Sequence, residues 1–322
     1  MTEWKDGIAK ITLPTPFPVG DVNVYLIKGE RLTLVDTGVK TEESWNSFTE
    51  QLAELDLSPK DIEQVLLTHH HPDHAGMLDY FPDSIEVYGH PLNERWIHPT
   101  EAFFQEQENF FKEHFKAFGL PEEFYSMLPR LRKTMKYMCN RSLTGHIVEG
   151  MCPPGLQAWK VIETPGHAQS QVAFFREKEG ILIGGDLLLA HISPNPLLEP
   201  PAPGEKERPK PMLQHNDSMK KLLNYPIKCI YTGHGEEVYQ VAELIDKRLS
   251  RQHERAMTVK NWLEKEELTV FQICKRLFPT VYQRELMLTI SETVAQLDYL
   301  ASIEEIISSD SQPVLYQAKA QD

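Results

Sequence analysis

No run of apolar residues in this 322-residue sequence approaches the roughly 18 that a membrane-spanning helix requires. The opening residues, Met1-Thr2-Glu3-Trp4-Lys5-Asp6, hold no apolar stretch of the kind a secretory leader needs, so none is expected. Cysteine is scarce. Cys139, Cys152, Cys229 and Cys274 lie too far apart for a CxxC zinc site and do not form the dense pattern of a disulfide framework. A reducing cytoplasm is the expected setting, with no membrane partner. Positive charge is also in short supply: 33 Lys and Arg stand against 47 Asp and Glu, for a net charge of -14. Such a chain has no global field to draw in nucleic acid or an anionic membrane. Internal repeats and long low-complexity tracts are missing too.

What is present is an ordinary apolar content, 41% of residues, in a chain long enough for one large domain and a smaller one. Short runs at 8–11, 22–27 and 32–35, rich in β-branched and aliphatic residues, read as strands. Residues 41–55 read as a helix, because Trp45, Phe48, Leu52 and Leu55 recur at helical spacing. Further strands are expected at 62–67, 85–88, 156–162, 171–175, 181–183 and 228–231. Seven prolines between Pro194 and Pro211 mark a loop of polyproline character. Alternating strands and helices of this kind make a layered α/β domain.

The sharpest signal is His69-x-His71-x-Asp73-His74, directly after the strand expected at 62–67. Alternate residues of an extended loop point the same way, so His69 and His71 can meet one metal while Asp73 and His74 turn to another. Imidazole nitrogen and carboxylate oxygen are donors that zinc, iron and manganese accept. Three later segments each place one such residue beside glycine at a strand end: Thr164-Pro165-Gly166-His167, Gly184-Gly185-Asp186 and Thr232-Gly233-His234-Gly235. Glycine there lets the backbone turn tightly and approach a site.

Together with Val35-Asp36-Thr37-Gly38, these segments resemble the motifs of the metallo-β-lactamase superfamily over roughly residues 8–240. The resemblance implies a four-layer αββα sandwich with the site at one edge of its sheets. It implies two divalent metal ions, zinc first, with iron or manganese as alternatives. His69, His71 and His167 would hold one, Asp73, His74 and His234 the other, and Asp186 would bridge them. A hydroxide shared by the metals is the implied nucleophile, with Asp73 able to orient it as well as to ligate. Asp36 is expected to accept a hydrogen bond from a ligand histidine or from the glycine turns, and His70 to point away from the metals. His191, just after Asp186, is either a cleft residue or a plain loop histidine.

Within that superfamily the pattern is similar to the glyoxalase II group. The best-known zinc β-lactamases carry cysteine at the position of Asp186 and lack the histidine of His74. Flavodiiron oxidoreductases carry glutamate at the position of His71. Both departures favour hydrolysis of something other than an antibiotic.

Residues 99–142 interrupt the pattern with a polar, helical, aromatic-rich insertion in which Pro121 and Pro129 should separate helices. Phe103, Phe104, Phe110, Phe111, Phe115, Phe118, Phe124 and Tyr125, followed by Leu128, Leu131 and Met135, either form the core of a helical bundle or line a lid over the metals. From residue 238 the chain is mainly helical, at 238–263, 270–277 and 285–300, and ends in a hairpin of 303–307 and 314–316. That order, with Arg248, His253, Arg255 and Thr293-Val294-Ala295-Gln296-Leu297-Asp298-Tyr299-Leu300, resembles the winged-helix-like domain of the β-lactamase-like protein 2 group. The expected organisation is a catalytic domain over 1–240 and a C-terminal winged-helix-like domain over 241–322. The C-terminal part holds 13 Asp and Glu against 10 Lys and Arg, unlike a duplex-binding module. Packing on the catalytic domain or making a homodimer is its simpler role, although Lys260, Lys275 and Arg276 could form a small basic patch.

The leading expectation is therefore a dinuclear metal-dependent hydrolase acting on a small ester or thioester. Two alternatives stand beside it: cleavage of single-stranded RNA at the same site, and a metal-binding regulatory protein without turnover.

Overall fold

The computed structural model describes residues 2–128, 132 and 135–320. Two sheets lie at its centre. The first has seven strands in sequential order: β1 (Trp4–Lys5), β2 (Ile8–Leu13), β3 (Val22–Lys28), β4 (Leu32–Val35), β5 (Gln64–Leu66), β6 (Glu86–Gly89) and β7 (Gly145–His146). Pairing is antiparallel through β4 and parallel from β4 to β7. The second sheet runs in the order β11 (Cys229–Thr232), β10 (Ile181–Gly185), β9 (Val172–Arg176), β8 (Trp159–Glu163). Because β9 is antiparallel to both β8 and β10, and β11 is parallel to β10, the carboxyl ends of β8, β10 and β11 share one edge.

The strand sequences explain the layering. In β3 six consecutive residues are buried, which requires cover on both faces and gives a continuous apolar run. Between the sheets, Tyr25, Ile27, Val35 and Leu66 meet Val161, Phe174, Ile183 and Tyr231. On the outer face of the first sheet lies α1 (Glu42–Ala53), which buries Phe48 and Leu52. Its N-terminus is fixed by the Thr41 side chain, which accepts from the Ser44 N–H, a cap worth about 1 kcal/mol. The outer face of the second sheet is covered by α5 (Pro211–Leu222), through Met219 and Leu222, and by the first turns of α6 (Val241–Leu263), through Val241 and Ile245. The result is an α/β sandwich with mixed sheets between helical layers.

Two short helical turns, α2 (Pro72–Ala75) and α3 (Glu94–Ile97), precede the insertion's main helix, α4 (Glu101–Ala117). The insertion does not build a bundle of its own. Phe110, Phe111, Phe115, Phe118, Leu120 and Leu128 share one apolar core with the far end of α6, with α7 (Val270–Leu277) and with α8 (Leu286–Ser302). A backbone hydrogen bond from Phe271 N–H to the Phe118 carbonyl, 3.0 Å, ties the two regions. Pro129 and Leu131 lie outside the described residues.

Three helices followed by the antiparallel pair β12 (Ile306–Ser308) and β13 (Tyr316–Ala318) close the chain. Both strands begin two or three residues later than the sequence suggests. The helix α6 starts at Val241 rather than at 238, because Val238 pairs in a β-bridge with Ile230. The strand expected at 156–162 is confined to β8. The helix α5 has no counterpart in the sequence reading. Of the three cations that could form a small basic patch, Lys260 pairs with Glu305 at 2.6 Å and Arg276 with Glu266 at 3.0 Å, while Lys275 lies over the Phe271 ring.

Candidate metal centre

Four strand ends converge at one edge of the sandwich, and each carries part of a cluster. His69, His71, Asp73 and His74 follow β5. His167 follows β8, Asp186 follows β10, and His234 follows β11. Three groups of these side chains each bring their donor atoms within 4.8 Å of one another: His69 with His71 and His167, Asp73 with His74 and His234, and His69 with His74 and Asp186. Asp186 lies among the others. Its Oδ1 is 3.4 Å from His74 Nε2, and its Oδ2 is 3.5 Å from both His167 Nε2 and His234 Nε2. Asp73 Oδ2 is 3.3 Å from His234 Nε2.

The backbone permits this density only at particular residues. A Cβ at Gly233 would collide with Asp186 Oδ1, and a Cβ at Gly166 would strike the backbone of His215. Gly166 also has φ +138, in the region that favours glycine. Asp36 adopts φ 60 without being glycine, a conformation tolerated by aspartate and enforced here by its hydrogen bonds. Its carboxylate accepts from Thr68 N–H at 2.8 Å, from the Thr68 hydroxyl at 2.7 Å and from His74 Nδ1 at 2.8 Å.

Outer contacts set which imidazole nitrogen faces inward. His167 Nδ1 is 2.9 Å from the Asn195 carbonyl and His234 Nδ1 is 2.8 Å from the Asp21 carbonyl. A carbonyl can only accept, so each Nδ1 carries a proton and Nε2 is the nitrogen left to face the centre. His74 Nε2, His167 Nε2, His234 Nε2 and Asp186 Oδ1 are buried and have no hydrogen-bond partner. Unpaired buried polar atoms of this kind are costly, and a cation bound among them would satisfy all four. The donor set of imidazoles and carboxylates suits a divalent transition metal.

Charge distribution follows the same division. Burial, reinforced by the neighbouring imidazoles, holds His69 and His71 well below the usual histidine range, so both are neutral. Burial alone would raise Asp186, but His234 and His74 pull it well below the carboxylate range. Burial likewise opposes the charge on His234, yet Asp186 and Asp73 raise it to about 10.

His70 does not join these groups. Its ring stacks on Trp96, with centroids 4.3 Å apart and planes 7° apart, and its Nδ1 lies 2.8 Å from Ser170 Oγ. His191 is an exposed loop residue whose nearest charge is Glu236, at 3.8 Å.

Beside the cluster lies a cavity of about 230 Å³, with His71, Trp96, Phe111, Met138, Leu198 and Met287 in its walls. The aromatic insertion thus contributes both to a core and to this cavity. Glu199 also lines it, almost fully buried, and burial pushes its carboxyl up to about 7. Sequence reasoning singles out none of Asn195, Ser170, Trp96, Glu199 or His215. Burial holds His215 down at about 3, with both ring nitrogens unpartnered against the Gly166 turn. Only the fold shows what these five residues face.

Comparison with known proteins agrees with this geometry. The metallo-beta-lactamase superfamily profile matches residues 17–234. Over 303 residues the chain is 45% identical to a probable metallo-hydrolase, YqjP, of Bacillus subtilis (strain 168), covering 94% of this chain and 95% of that protein. A beta-lactamase-like protein 2 homolog of Caenorhabditis elegans is 23% identical over 271 residues, spanning 82% of this chain and 73% of the other. Among solved structures, a metallo-beta-lactamase family protein from Thermus thermophilus superposes with a TM-score of 0.81 at 26% identity, covering 98% of this chain and 99% of that one.

Proposed function

The chain belongs to the metallo-beta-lactamase superfamily, and we propose that it is a dinuclear metal-dependent hydrolase of ester or thioester bonds. The observation that carries this reading is the apolar cavity set against the clustered metal donors, with His71 belonging to both. In this reading His69, His71 and His167 hold one cation, Asp73, His74 and His234 hold a second, and Asp186 lies between them. Zinc fits these donors, and iron or manganese would also be accepted. A divalent cation bound there lowers the pKa of water towards neutrality and polarises a carbonyl oxygen.

The chain's own residues supply the rest. Asp36, Asn195 and Asp21 hold three imidazoles in register, so no reorganisation is needed when substrate arrives. Asp73 is assigned the further task of orienting the attacking water, for which its carboxylate offers an acceptor at the centre. Trp96, Phe111 and Met287 exclude water from one side and accept an apolar acyl chain. Each methylene placed there contributes about 0.8 kcal/mol. Cleavage of single-stranded RNA would instead call for a basic track, and two of the cations that could contribute to one, Lys260 and Arg276, pair with Glu305 and Glu266.

The test is thiol release from acyl thioesters of rising chain length, with zinc- and manganese-loaded protein beside a His69→Ala control. Metal-dependent release that increases with chain length is expected. Silence across the panel, with cleavage of single-stranded RNA by the same preparation, would overturn the assignment.

A further inference from the structure

The apolar cavity beside His71 does not close on an apolar wall. Glu199, only 5% exposed, lines it together with Trp96. The same two residues line a second cavity, of about 240 Å³, and so stand between the two spaces. The proline-rich loop is anchored at this point. Leu198 is buried in the core shared with α8, and its N–H donates to Ser291 Oγ at 3.2 Å, which fixes the residue that follows it.

Glu199 has lost its water without gaining a counter-ion. Its Oε1 accepts from the Gln169 N–H at 2.9 Å, and its other oxygen has no hydrogen-bond partner among the described residues. Arg95 acts on it from a distance, but that guanidinium is already committed. It donates to the Pro201 carbonyl at 2.7 Å and to Glu106 at 2.8 Å, and it lies over the Phe103 ring. A buried carboxyl left in this state is costly, and a cation delivered by a ligand would satisfy it. The second cavity adds charge of the same sign. Glu205 and Glu207 lie in its walls, exposed, and pair with no Lys or Arg among the described residues. The Gln169 and Gln214 amides in the same walls bond to each other, at 2.9 and 3.0 Å, and so neutralise nothing.

These acidic groups do not converge as a metal ion requires. Among the described residues, every group of three donors within 4.8 Å belongs to the strand-end cluster. The cation that suits the site is therefore organic. We propose that Glu199 is a specificity-determining residue that receives an ammonium group carried on the acyl chain of the substrate. The substrate class is then an ester or thioester of an amino acid whose amino group is separated from the scissile bond by a run of methylenes. The bond lies at the His71 end of the apolar cavity, the methylenes lie against Trp96, Phe111 and Met287, and the ammonium lies at the junction with the acidic cavity. This inference rests on the hydrolase reading for the bond cleaved, and not for the binding of the cation.

The test is calorimetric titration of zinc-loaded protein at pH 8 with three series of free carboxylates, each of four to eight carbons: methyl-ended, hydroxyl-ended and amino-ended. At that pH the amine is protonated, and the Glu199 carboxyl, which burial pushes up to about 7, is largely ionised. At one length or more, the amino-ended member should bind roughly tenfold more tightly than its methyl-ended counterpart, the scale of one charge-assisted hydrogen bond. Glu199→Gln, which keeps the shape and the acceptor for Gln169, should abolish that preference and leave the methyl-ended series unchanged. Equal affinity for amino- and methyl-ended members at every length overturns the proposal. So does a hydroxyl-ended member that binds as tightly as the amino-ended one, or a preference that survives in Glu199→Gln. Because binding is read without turnover, selective uptake of amino-ended ligands by a protein that cleaves no ester or thioester would count against the hydrolase reading alone.

Discussion

Asp36 and His74 are joined by a 2.8 Å hydrogen bond at the base of the metal cluster, and this contact fixes which nitrogen of His74 faces Asp186. Asp36 holds that position through two further hydrogen bonds from Thr68, in a left-handed backbone conformation that asparagine also tolerates.

Asp36→Asn should therefore fold, but should loosen the orientation of His74. Affinity for zinc should fall by about 10- to 100-fold, the usual effect of losing an outer partner of a ligand histidine. Competition against a chromophoric chelator measures it directly. Wild-type affinity in the variant would show that the bond has no positioning role.

Asp186→Ala and His70→Ala should separate the cluster from its surroundings. Removing Asp186 takes away the one carboxylate that lies within 3.5 Å of three imidazoles, so bound metal and activity should be lost together. Removing His70 deletes the stacking on Trp96 and the contact with Ser170, which should cost about 2 kcal/mol of stability while metal is retained. Metal content by atomic emission and thermal melts of both variants decide the matter. Equal metal loss in the two would contradict the ligand set.

Glu199 should give the fold a pH dependence of its own. Burial raises its carboxyl from 4.5 to about 7 in the folded state, although the Gln169 N–H and Arg95 pull the other way. The folded protein then holds a proton that the unfolded chain has released, so this stabilisation is complete below about 4.5 and is lost as pH rises to about 7. Glu199→Gln should gain on wild type by up to about 3 kcal/mol between pH 4.5 and pH 8, in denaturant unfolding. A difference that does not change with pH would remove Glu199 from this role.

The apolar cavity predicts a chain-length limit. Met287→Trp fills part of it and should shorten the preferred acyl chain. Each methylene denied its place should lower kcat/KM by roughly fourfold, the equivalent of about 0.8 kcal/mol. Identical chain-length profiles in wild type and variant would mean that the acyl group lies elsewhere.

The residues of the cluster are legible in the sequence because each sits in a short local motif: a donor next to glycine or proline, directly after an apolar strand. Strands buried on both faces, such as β3, also announce themselves by continuous apolar runs. Other features depend on contacts between distant residues. Lys260 is neutralised by Glu305, and nothing local to either residue signals it. The helix α5 escapes a sequence reading because its inward face mixes Met212, His215, Asn216 and Met219 and so lacks a clean apolar period. The aromatic insertion admits two readings because its partner core comes from the far end of the chain. A cavity of about 410 Å³ with Arg248, Arg251 and Arg255 in its wall likewise needs the loop at 193–195 to be placed against α6 before it exists.

The helix α6 begins in one apolar core, with Val241 and Ile245, and ends in another, with Ala256, Val259 and Leu263. Arg248, Arg251 and Arg255 sit on the span between them. Its 23 residues form a strut of roughly 35 Å. The cavity walls it carries are therefore indexed to the strand ends by a rigid rod and not by a linker. Substitutions along the middle of that rod therefore alter a wall of the 410 Å³ cavity without touching any residue of the cluster at the strand ends.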